Sequence, residues 1–249
     1  MTTTLVRSLT QALQDIVGKP YLLTDPRDSQ LYEYDATFGR YSPAAVVFPT
    51  TTEQVSAVVK ACAAEGVPFI PRGSGTSLSG GPVPILGGVV ISLTRMDRIL
   101  ELDYENQRAV VQPGVINQDL LSTLERRGYF YAPDPASQAS CTIGGNVGEN
   151  SGGPHCLKYG VTTNHILGLE AVLPDGSILR TGGKALDWPG FDLTGVQVGG
   201  EGTFSIATEI TCRIMPLPET VATMLAIGGS IGAPCVPCHP YRAGASRAA

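Results

Sequence analysis

Residues 71–81 read Pro71-Arg72-Gly73-Ser74-Gly75-Thr76-Ser77-Leu78-Ser79-Gly80-Gly81, and they follow a short apolar run, Val67 to Ile70, that predicts a β-strand. Glycine adopts positive φ readily and lets backbone approach a ligand closely. Successive N–H groups in such a turn form an anion-binding concavity, so the segment favours a phosphate or pyrophosphate ligand. It lacks the lysine of a P-loop, and Leu78 stands where a dinucleotide fingerprint has its third glycine. Taken alone, the segment is also compatible with a glycine-rich hairpin.

Two further runs of small residues strengthen the ligand interpretation. One is residues 140–153, Ser-Cys-Thr-Ile-Gly-Gly-Asn-Val-Gly-Glu-Asn-Ser-Gly-Gly, and the other is residues 198–206, Val-Gly-Gly-Glu-Gly-Thr-Phe-Ser-Ile. Ordering glycine costs backbone entropy and buries no side chain, so such runs add little to a core. Three backbone-lined segments therefore predict an extended, phosphate-bearing ligand.

These segments resemble the FAD-binding half of the flavin-linked oxidases related to vanillyl-alcohol oxidase. The most similar branch contains the FAD subunit of bacterial glycolate oxidase and the D-lactate and D-2-hydroxyglutarate dehydrogenases. The resemblance extends from about Leu22 to Glu219. It rests on Pro71-Arg72-Gly73-Ser74-Gly75-Thr76-Ser77, Pro133-Asp134-Pro135-Ala136-Ser137, Thr142-Ile143-Gly144-Gly145-Asn146, Glu149-Asn150-Ser151-Gly152-Gly153 and Glu201-Gly202-Thr203.

The resemblance implies an α+β, two-lobed FAD-binding domain of the vanillyl-alcohol oxidase (PCMH) type, with FAD between the lobes. We expect an N-terminal helix in residues 1–19, lobe one in residues 20–95 and lobe two in residues 96–227. The C-terminal substrate domain of the family is expected to be absent. Residues 228–249 are rich in Gly, Pro, Ala and Ser and contain no acidic residue, so we expect an unstructured tail produced by a frameshift near Ile227.

The cofactor-binding residues follow from the same resemblance. It places the pyrophosphate at Arg72, Gly73, Ser74, Gly75, Thr76 and Ser77. It places the flavin and ribityl chain along Pro133, Asp134 and Ser137. It places the pyrophosphate and isoalloxazine edge at Thr142, Gly144, Gly145 and Asn146, with Ser140, Gly148, Asn150, Ser151 and Gly153 continuing that wall. It places the adenosine end at Glu201, Gly202, Thr203 and Ile206. Gly200 replaces the serine usual in the family.

The implied reaction is oxidation of a 2-hydroxy acid, of the glycolate or D-lactate type, by hydride transfer to FAD. Relatives with covalent flavin often carry a histidine where this chain has Thr76, so non-covalent FAD is expected. In the family, the base and the carboxylate-binding groups belong to the substrate domain, so no catalytic residue is assigned here. The alternatives are a flavin-binding module without activity of its own and, less favoured, a reductase of the cell-wall precursor type. Other oxidase subunits are possible partners.

Composition excludes several other functions. The 249 residues are 43% hydrophobic and 16% charged, with a net charge of −5, which argues against nucleic-acid binding. No apolar run reaches the length of a transmembrane helix, and the N-terminus lacks a signal-peptide core, so a cytoplasmic location is expected. Of the six cysteines, four are interpreted as reduced thiols: Cys62, Cys141, Cys156 and Cys212. The motif Cys235-Val236-Pro237-Cys238-His239 matches a haem-attachment pattern, but neither haem nor a metal site is expected.

Periodicity predicts most of the regular structure. A strand at 45–48, a helix starting at Thr51 or Thr52 and ending near Gly66, and the strand at 67–70 form a β–α–β unit. Further strands are predicted at 89–93, 99–102, 109–112 and 204–215, with a helix at 117–127. A hairpin is predicted around Pro174-Asp175-Gly176. The N-terminal leucines recur at helical spacing and predict a surface helix.

Overall fold

A computed structural model describes residues 5–184 and 190–220, and the described residues up to Leu217 belong to one unit. The helices are α1 (Arg7–Val17), α2 (Pro26–Ser29), α3 (Thr52–Ala64), α4 (Asn117–Glu125), α5 (Ile143–Glu149), α6 (Cys156–Tyr159) and α7 (Leu193–Gln197). The strands are β1 (Leu22–Leu23), β2 (Ala45–Val47), β3 (Phe69–Arg72), β4 (Val89–Ser92), β5 (Ile99–Asp103), β6 (Arg108–Val111), β7 (Tyr129–Phe130), β8 (Ile166–Val172), β9 (Ile178–Gly182), β10 (Ile206–Arg213) and β11 (Met215–Pro216).

The first sheet has the strand order β1-β2-β4-β3, and β2, β4 and β3 are parallel. Helix α3 connects β2 to β3, which confirms the predicted β–α–β unit. Thr51 caps α3, because its hydroxyl accepts a hydrogen bond from the Gln54 N–H at 3.3 Å. Valines of α3 and the leucines Leu9 and Leu13 of α1 are buried together against this sheet, so the N-terminal helix packs on the domain as predicted. The parallel arrangement directs the end of β3, and the glycine-rich loop after it, to one edge of the sheet.

The second sheet is antiparallel and has the order β5-β6-β10-β8-β9. The strands predicted at 99–102 and 109–112 form the hairpin β5–β6, and the predicted hairpin β8–β9 forms around Gly176, whose φ is +78°. Leu120 and Leu124 of α4 are buried with Ile210 and Ile214 in the core of this half. Strand β10 ends at Arg213, and a separate short strand, β11, pairs with Phe130 and Tyr129 of β7, so the single strand predicted over residues 204–215 is divided in two. The predicted boundary at residues 95 and 96 falls between the two sheets.

The main departure from the sequence prediction is α5. Residues 143–149 form a helix, although their three glycines favour an irregular loop. Thr142 caps this helix by accepting a hydrogen bond from the Gly145 N–H at 3.1 Å. Ile143 and Val147 are buried in the second core. Tertiary burial and the cap therefore outweigh the poor helix propensity of glycine.

Two sequence features cannot be compared with the structure. The expected tail at 228–249 and its Cys235–His239 motif lie outside the described residues. Within the described ranges, no helix combines the length and the apolar character needed to cross a membrane.

Candidate functional site

The three glycine-rich segments line one cleft with a volume of about 890 Å³, which lies within the size range of ligand and cofactor sites. The loop after β3 forms one wall, α5 and the segment before it form the opposite wall, and the start of β10 closes one side. At the contact between the walls, a Cβ on Gly73 would lie 2.4 Å from the Thr142 hydroxyl oxygen. Only glycine at position 73 therefore permits this approach.

The loop after β3 presents unused backbone donors. Within the described chain, no backbone carbonyl accepts a hydrogen bond from the N–H groups of residues 73–78. Gly75 has a φ of +77°, a conformation that favours glycine. Residues 73–78 are half-buried or exposed, so these N–H groups on the wall of the cleft are available to a ligand that accepts hydrogen bonds.

Arg72 lies at the end of β3 and lines the same cleft, with only 5% of its surface exposed. Its Nη2 donates a hydrogen bond to the Leu31 carbonyl at 3.2 Å, and its guanidinium carbon lies 5.6 Å from the centre of the Tyr32 ring. Its Nη1 is buried without a partner among the described residues. Burial lowers the pKa of the guanidinium from its ordinary value, while the Tyr32 and Asp35 side chains oppose that shift. Even so, an arginine stays protonated in proteins, so this wall carries a buried positive charge.

The wall formed by α5 has few free backbone donors. The Ile143 N–H binds the Val115 carbonyl at 2.8 Å, and the Gly144 N–H binds the Pro113 carbonyl at 2.8 Å. The Gly145 N–H is held by the cap, as described above. The Asn146 Nδ2, in contrast, is buried without a partner in the described part of the chain. This wall therefore offers a rigid surface and one side-chain donor.

A carboxylate connects the two walls. Glu149, at the end of α5, accepts hydrogen bonds from the Ser77 and Ser79 hydroxyls, each at 2.7 Å. On the other side of the loop, Asp35 accepts the Gly80 N–H at 3.0 Å. Because both carboxylates hold residues of the loop after Gly75, its conformation is set before any ligand binds.

Comparison with known proteins identifies the family. The sequence profile of a family described as "FAD binding domain" matches residues 43–182, which is more than half of the chain. The chain belongs to this family of FAD-binding domains.

Curated relatives of this FAD-binding domain are oxidoreductases. It is 50% identical over 205 residues to "Glycolate oxidase subunit GlcD" of Bacillus subtilis (strain 168), covering 82% of this chain and 44% of that protein. It is 37% identical over 217 residues to "D-lactate dehydrogenase" of Anaerostipes hadrus, covering 86% of this chain and 46% of that protein. The chain therefore spans a little under half the length of these relatives.

Solved structures confirm the predicted fold. An alkyldihydroxyacetonephosphate synthase superposes with a TM-score of 0.78 at 22% identity, covering 88% of this chain and 46% of the other. A 4-ethylphenol oxidase from Gulosibacter chungangensis superposes with a TM-score of 0.73 at 27% identity, covering 86% of this chain and 43% of the other. The architecture is thus the FAD-binding fold of the vanillyl-alcohol oxidase (PCMH) type.

The residues of the cleft fit FAD. A diphosphate carries negative charge and only accepts hydrogen bonds, which suits the free N–H groups of residues 73–78 and the buried charge of Arg72. The volume of the cleft suits a ligand larger than a small metabolite.

The FAD-binding domain brings most of the predicted site residues to this cleft. Those that line it are Arg72, Gly73, Ser74, Gly75, Thr76, Ser77, Ser137, Thr142, Gly144, Gly145, Asn146, Gly148, Ser151, Glu201, Gly202 and Ile206. Those that do not line it are Pro133, Asp134, Ser140, Asn150, Gly153 and Thr203. Thr203 lines a smaller neighbouring pocket of about 320 Å³, together with the apolar side chains of Phe69 and Val172.

The residues outside the cleft make contacts that shape its walls. Asp134 accepts the His155 N–H at 3.1 Å, and its other oxygen lies 2.9 Å from the His155 Nδ1. Asn150 is left-handed, with a φ of +48°, and its side chain accepts the Thr163 N–H at 2.9 Å. A Cβ on Gly153 would lie 2.1 Å from the Asp134 carbonyl oxygen. These residues hold the segments before and after α5 together.

Sequence reasoning missed a segment of the cleft wall. Tyr34, Asp35 and Ala36 line the cleft, as does Gln197 at the end of α7. The Ala36 N–H donates to the Ser77 carbonyl at 3.0 Å, which fixes this segment beside the glycine-rich loop. Its sequence contains no glycine and no periodic pattern, so nothing in the sequence alone distinguishes it from a surface loop.

Proposed function

We propose that this chain holds FAD non-covalently, as the FAD-binding part of a flavin-dependent oxidoreductase that oxidises a 2-hydroxy acid of the glycolate or D-lactate type. The observation that carries the proposal is the row of free N–H groups at residues 73–78 in a cleft of about 890 Å³. The relatives named glycolate oxidase subunit and D-lactate dehydrogenase supply the class of reaction.

The proposed roles divide between the two walls. The loop at 73–78, with Arg72, binds the diphosphate, and α5 with Ser137 supports the flavin and ribityl chain. The residues around Glu201 lie toward the adenosine end. In this arrangement, lobes of residues 20–95 and 96–227 hold the cofactor between them. When bound, FAD supplies the hydride acceptor, while the protein orients it and sets its surroundings.

Proton transfer from the substrate is not assigned to either of the described histidines. A base has to reach the hydroxyl proton of the substrate, and the described histidines do not line the cleft. His155 is paired with Asp134. His165 is buried, and its Nε2 lies 3.0 Å from the Tyr159 carbonyl oxygen. These two histidines are therefore not proposed as the base, and no described residue is assigned that role.

The remaining proposals concern attachment, partners and location. Thr76 provides no imidazole or thiol for a covalent bond to the flavin, which supports non-covalent binding. Because one relative is named as an oxidase subunit, other oxidase subunits are proposed as partners. The substrate is proposed to be a small 2-hydroxy acid, and the location is proposed to be cytoplasmic.

A second candidate function is a flavin-binding module without catalytic activity of its own. It is favoured by one observation: neither of the described histidines, His155 and His165, lines the cleft.

Absorbance spectroscopy of the purified chain tests both candidates. The chain is freed of flavin, titrated with FAD and then mixed anaerobically with glycolate or D-lactate. Loss of the visible flavin band supports the enzyme, and an unchanged band supports the module. Failure of the folded chain to bind FAD refutes both. Acid precipitation is expected to leave the polypeptide colourless, whereas yellow precipitate would contradict non-covalent binding.

A further inference from the structure

A short segment of the glycine-rich loop bridges the two walls of the cleft. Residues 76–79, here called the strap, belong to the loop after β3, and Ser77 and Leu78 line the cleft. Glu149 lines the cleft from the opposite wall, at the end of α5. The hydrogen bonds from the Ser77 and Ser79 hydroxyls to Glu149 therefore join the two walls across the cleft. A ligand that enters past the strap has to separate these groups.

A glycine in the left-handed region flanks each end of the strap. The φ angle is +77° at Gly75 and +84° at Gly80. Such positions can absorb the backbone rotation that a moving loop requires. The strap is also attached to its own wall, because the Ala36 N–H donates to the Ser77 carbonyl at 3.0 Å. Release of Glu149 therefore frees the strap from the opposite wall only.

Little else holds the strap against the opposite wall. Leu78 is the large apolar side chain of the strap and is 82% exposed, so it contributes little burial. In the described part of the chain, the strap makes its hydrogen bonds to that wall through Glu149 alone. Ser79 is exposed and Glu149 is half-buried, so water can replace these bonds when the strap opens. The closed strap is consequently held by one side chain.

We propose that Glu149 is a positioning residue that acts as a latch: it holds the strap closed across the cleft, and its release sets the rate at which FAD enters and leaves. The proposal rests on the proposed function and adds a kinetic step to it. The ligand passes only while the strap is open, so the population of the open state limits both association and dissociation. In the closed state, the same bonds hold the loop against the ligand.

Three variants separate the latch from the charge of Glu149. E149A removes both hydrogen bonds and the charge. E149Q removes the charge, but its amide oxygen can accept from one serine and its amide nitrogen can donate to the other. E125A removes the same side chain from the last residue of α4, where Glu125 is exposed and does not line the cleft. Stopped-flow quenching of flavin fluorescence measures the rate constants of FAD association and dissociation for each variant and for the original chain.

Both rate constants should rise when the latch is removed. We expect E149A to raise the association rate constant about threefold and the dissociation rate constant about tenfold, because the open state gains population and the loop holds the ligand less well. E149Q and E125A should keep rate constants close to those of the original chain. Faster association is the decisive readout, since mere damage to the binding site would speed dissociation only.

The outcomes distinguish the latch from the proposed function. If E149A and the original chain bind FAD with the same rate constants, the latch is refuted and the proposed function stands. Faster dissociation with unchanged or slower association would show that Glu149 only supports the site, and would also overturn the latch. If E149Q associates as fast as E149A, the effect is the loss of a charge that repels an anionic ligand, and the latch is again refuted. If the original chain does not bind FAD, the proposed function fails and the latch fails with it.

A second pair of variants covers the case in which E149A does not fold. S79A removes one of the two hydrogen bonds from an exposed residue, and we expect it to raise the association rate constant about twofold. S79T keeps a hydroxyl at this position and should associate with FAD at the rate of the original chain. Unchanged association in S79A would overturn the proposal, and so would equal acceleration in S79A and S79T.

Discussion

Substitution of Gly144 by alanine tests how closely the wall formed by α5 is packed. A Cβ at this position would lie 2.5 Å from the Pro113 Cβ and 2.9 Å from the Pro113 carbonyl oxygen. The same carbonyl accepts the Gly144 N–H at 2.8 Å, so the two segments cannot separate without loss of that hydrogen bond. Overpacking of this kind lowers the free energy of unfolding by about 1–3 kcal/mol, and the better helix propensity of alanine offsets up to about 1 kcal/mol of that loss. We expect a net destabilisation of about 1–2 kcal/mol.

The same helix contains the matched control. A Cβ on Gly148 would meet only the Glu201 Cα, at 3.9 Å, which is an ordinary contact. Gly148→Ala therefore gains helix propensity without a clash, and we expect it to stabilise the chain by about 0.5–1 kcal/mol. The two variants should differ by about 2 kcal/mol, or about 4–8 °C in unfolding temperature for a chain of this size.

Urea unfolding of the flavin-free variants, followed by circular dichroism, measures the difference. Equal stability of G144A and G148A would refute the reasoning, because it would mean that the approach of Pro113 to Gly144 is not a constraint. A loss of stability in both variants would instead contradict the helical assignment of residues 143–149, in which alanine is favoured over glycine.

Three further predictions concern the loop and the second core. Glu149→Ala removes the acceptor of the Ser77 and Ser79 hydroxyls, so the loop loses its tether and FAD affinity should fall several-fold in a fluorescence titration, with S79A showing a smaller loss. Gly75→Ala places a Cβ 2.1 Å from the Arg72 Nη2 at a φ of +77°, and FAD affinity should fall more than for E149A. Burial lowers the pKa of His165 below its ordinary value of 6.5. As the pH falls, His165 therefore takes up a proton at a higher pH in the unfolded chain than in the folded chain. Stability should therefore fall as the pH drops below 6.5, and His165→Gln should reduce that fall in urea titrations.

Each of these has an outcome that contradicts it. Unchanged FAD affinity in E149A would show that the loop holds its conformation without the tether. G75A with normal affinity would mean that the guanidinium moves freely. Stability of the original chain that is constant between neutral and mildly acidic pH would exclude His165 as a group that stays neutral in the fold.

The regular elements were predictable because their signals are local. The cap at Thr51 and the apolar positions of α3 determine that helix, and the turn at Gly176 determines the hairpin β8–β9. The strand before residue 73 was likewise evident from its apolar run. Such signals depend on residues a few positions apart, so they can be recognised without knowledge of the fold.

The features that set the chemistry of the cleft were not predictable in the same way. The burial of Arg72 depends on Leu31 and Tyr32, about forty positions away. Asp35 reaches the loop only through its contact with Gly80. The helix α5 forms because Ile143 and Val147 enter a core whose other members come from distant strands. Each depends on contacts between segments that lie far apart in the sequence. The sequence alone does not show which distant segments meet.

Two runs of glycine that look alike in the sequence consequently perform different physical tasks. In the loop after β3, glycine supplies a positive φ at position 75 and leaves the N–H groups of residues 73–78 free, so that run provides donors. In α5, Gly144 has no Cβ, so the Pro113 carbonyl can approach and accept a hydrogen bond from the Gly144 N–H. The donors of that run are therefore bonded within the protein. A diphosphate is therefore expected to bind on the side of the first wall, where both the donors and the buried charge of Arg72 lie. The second wall then serves as a rigid surface with few free donors, which suits an aromatic ring rather than an anion.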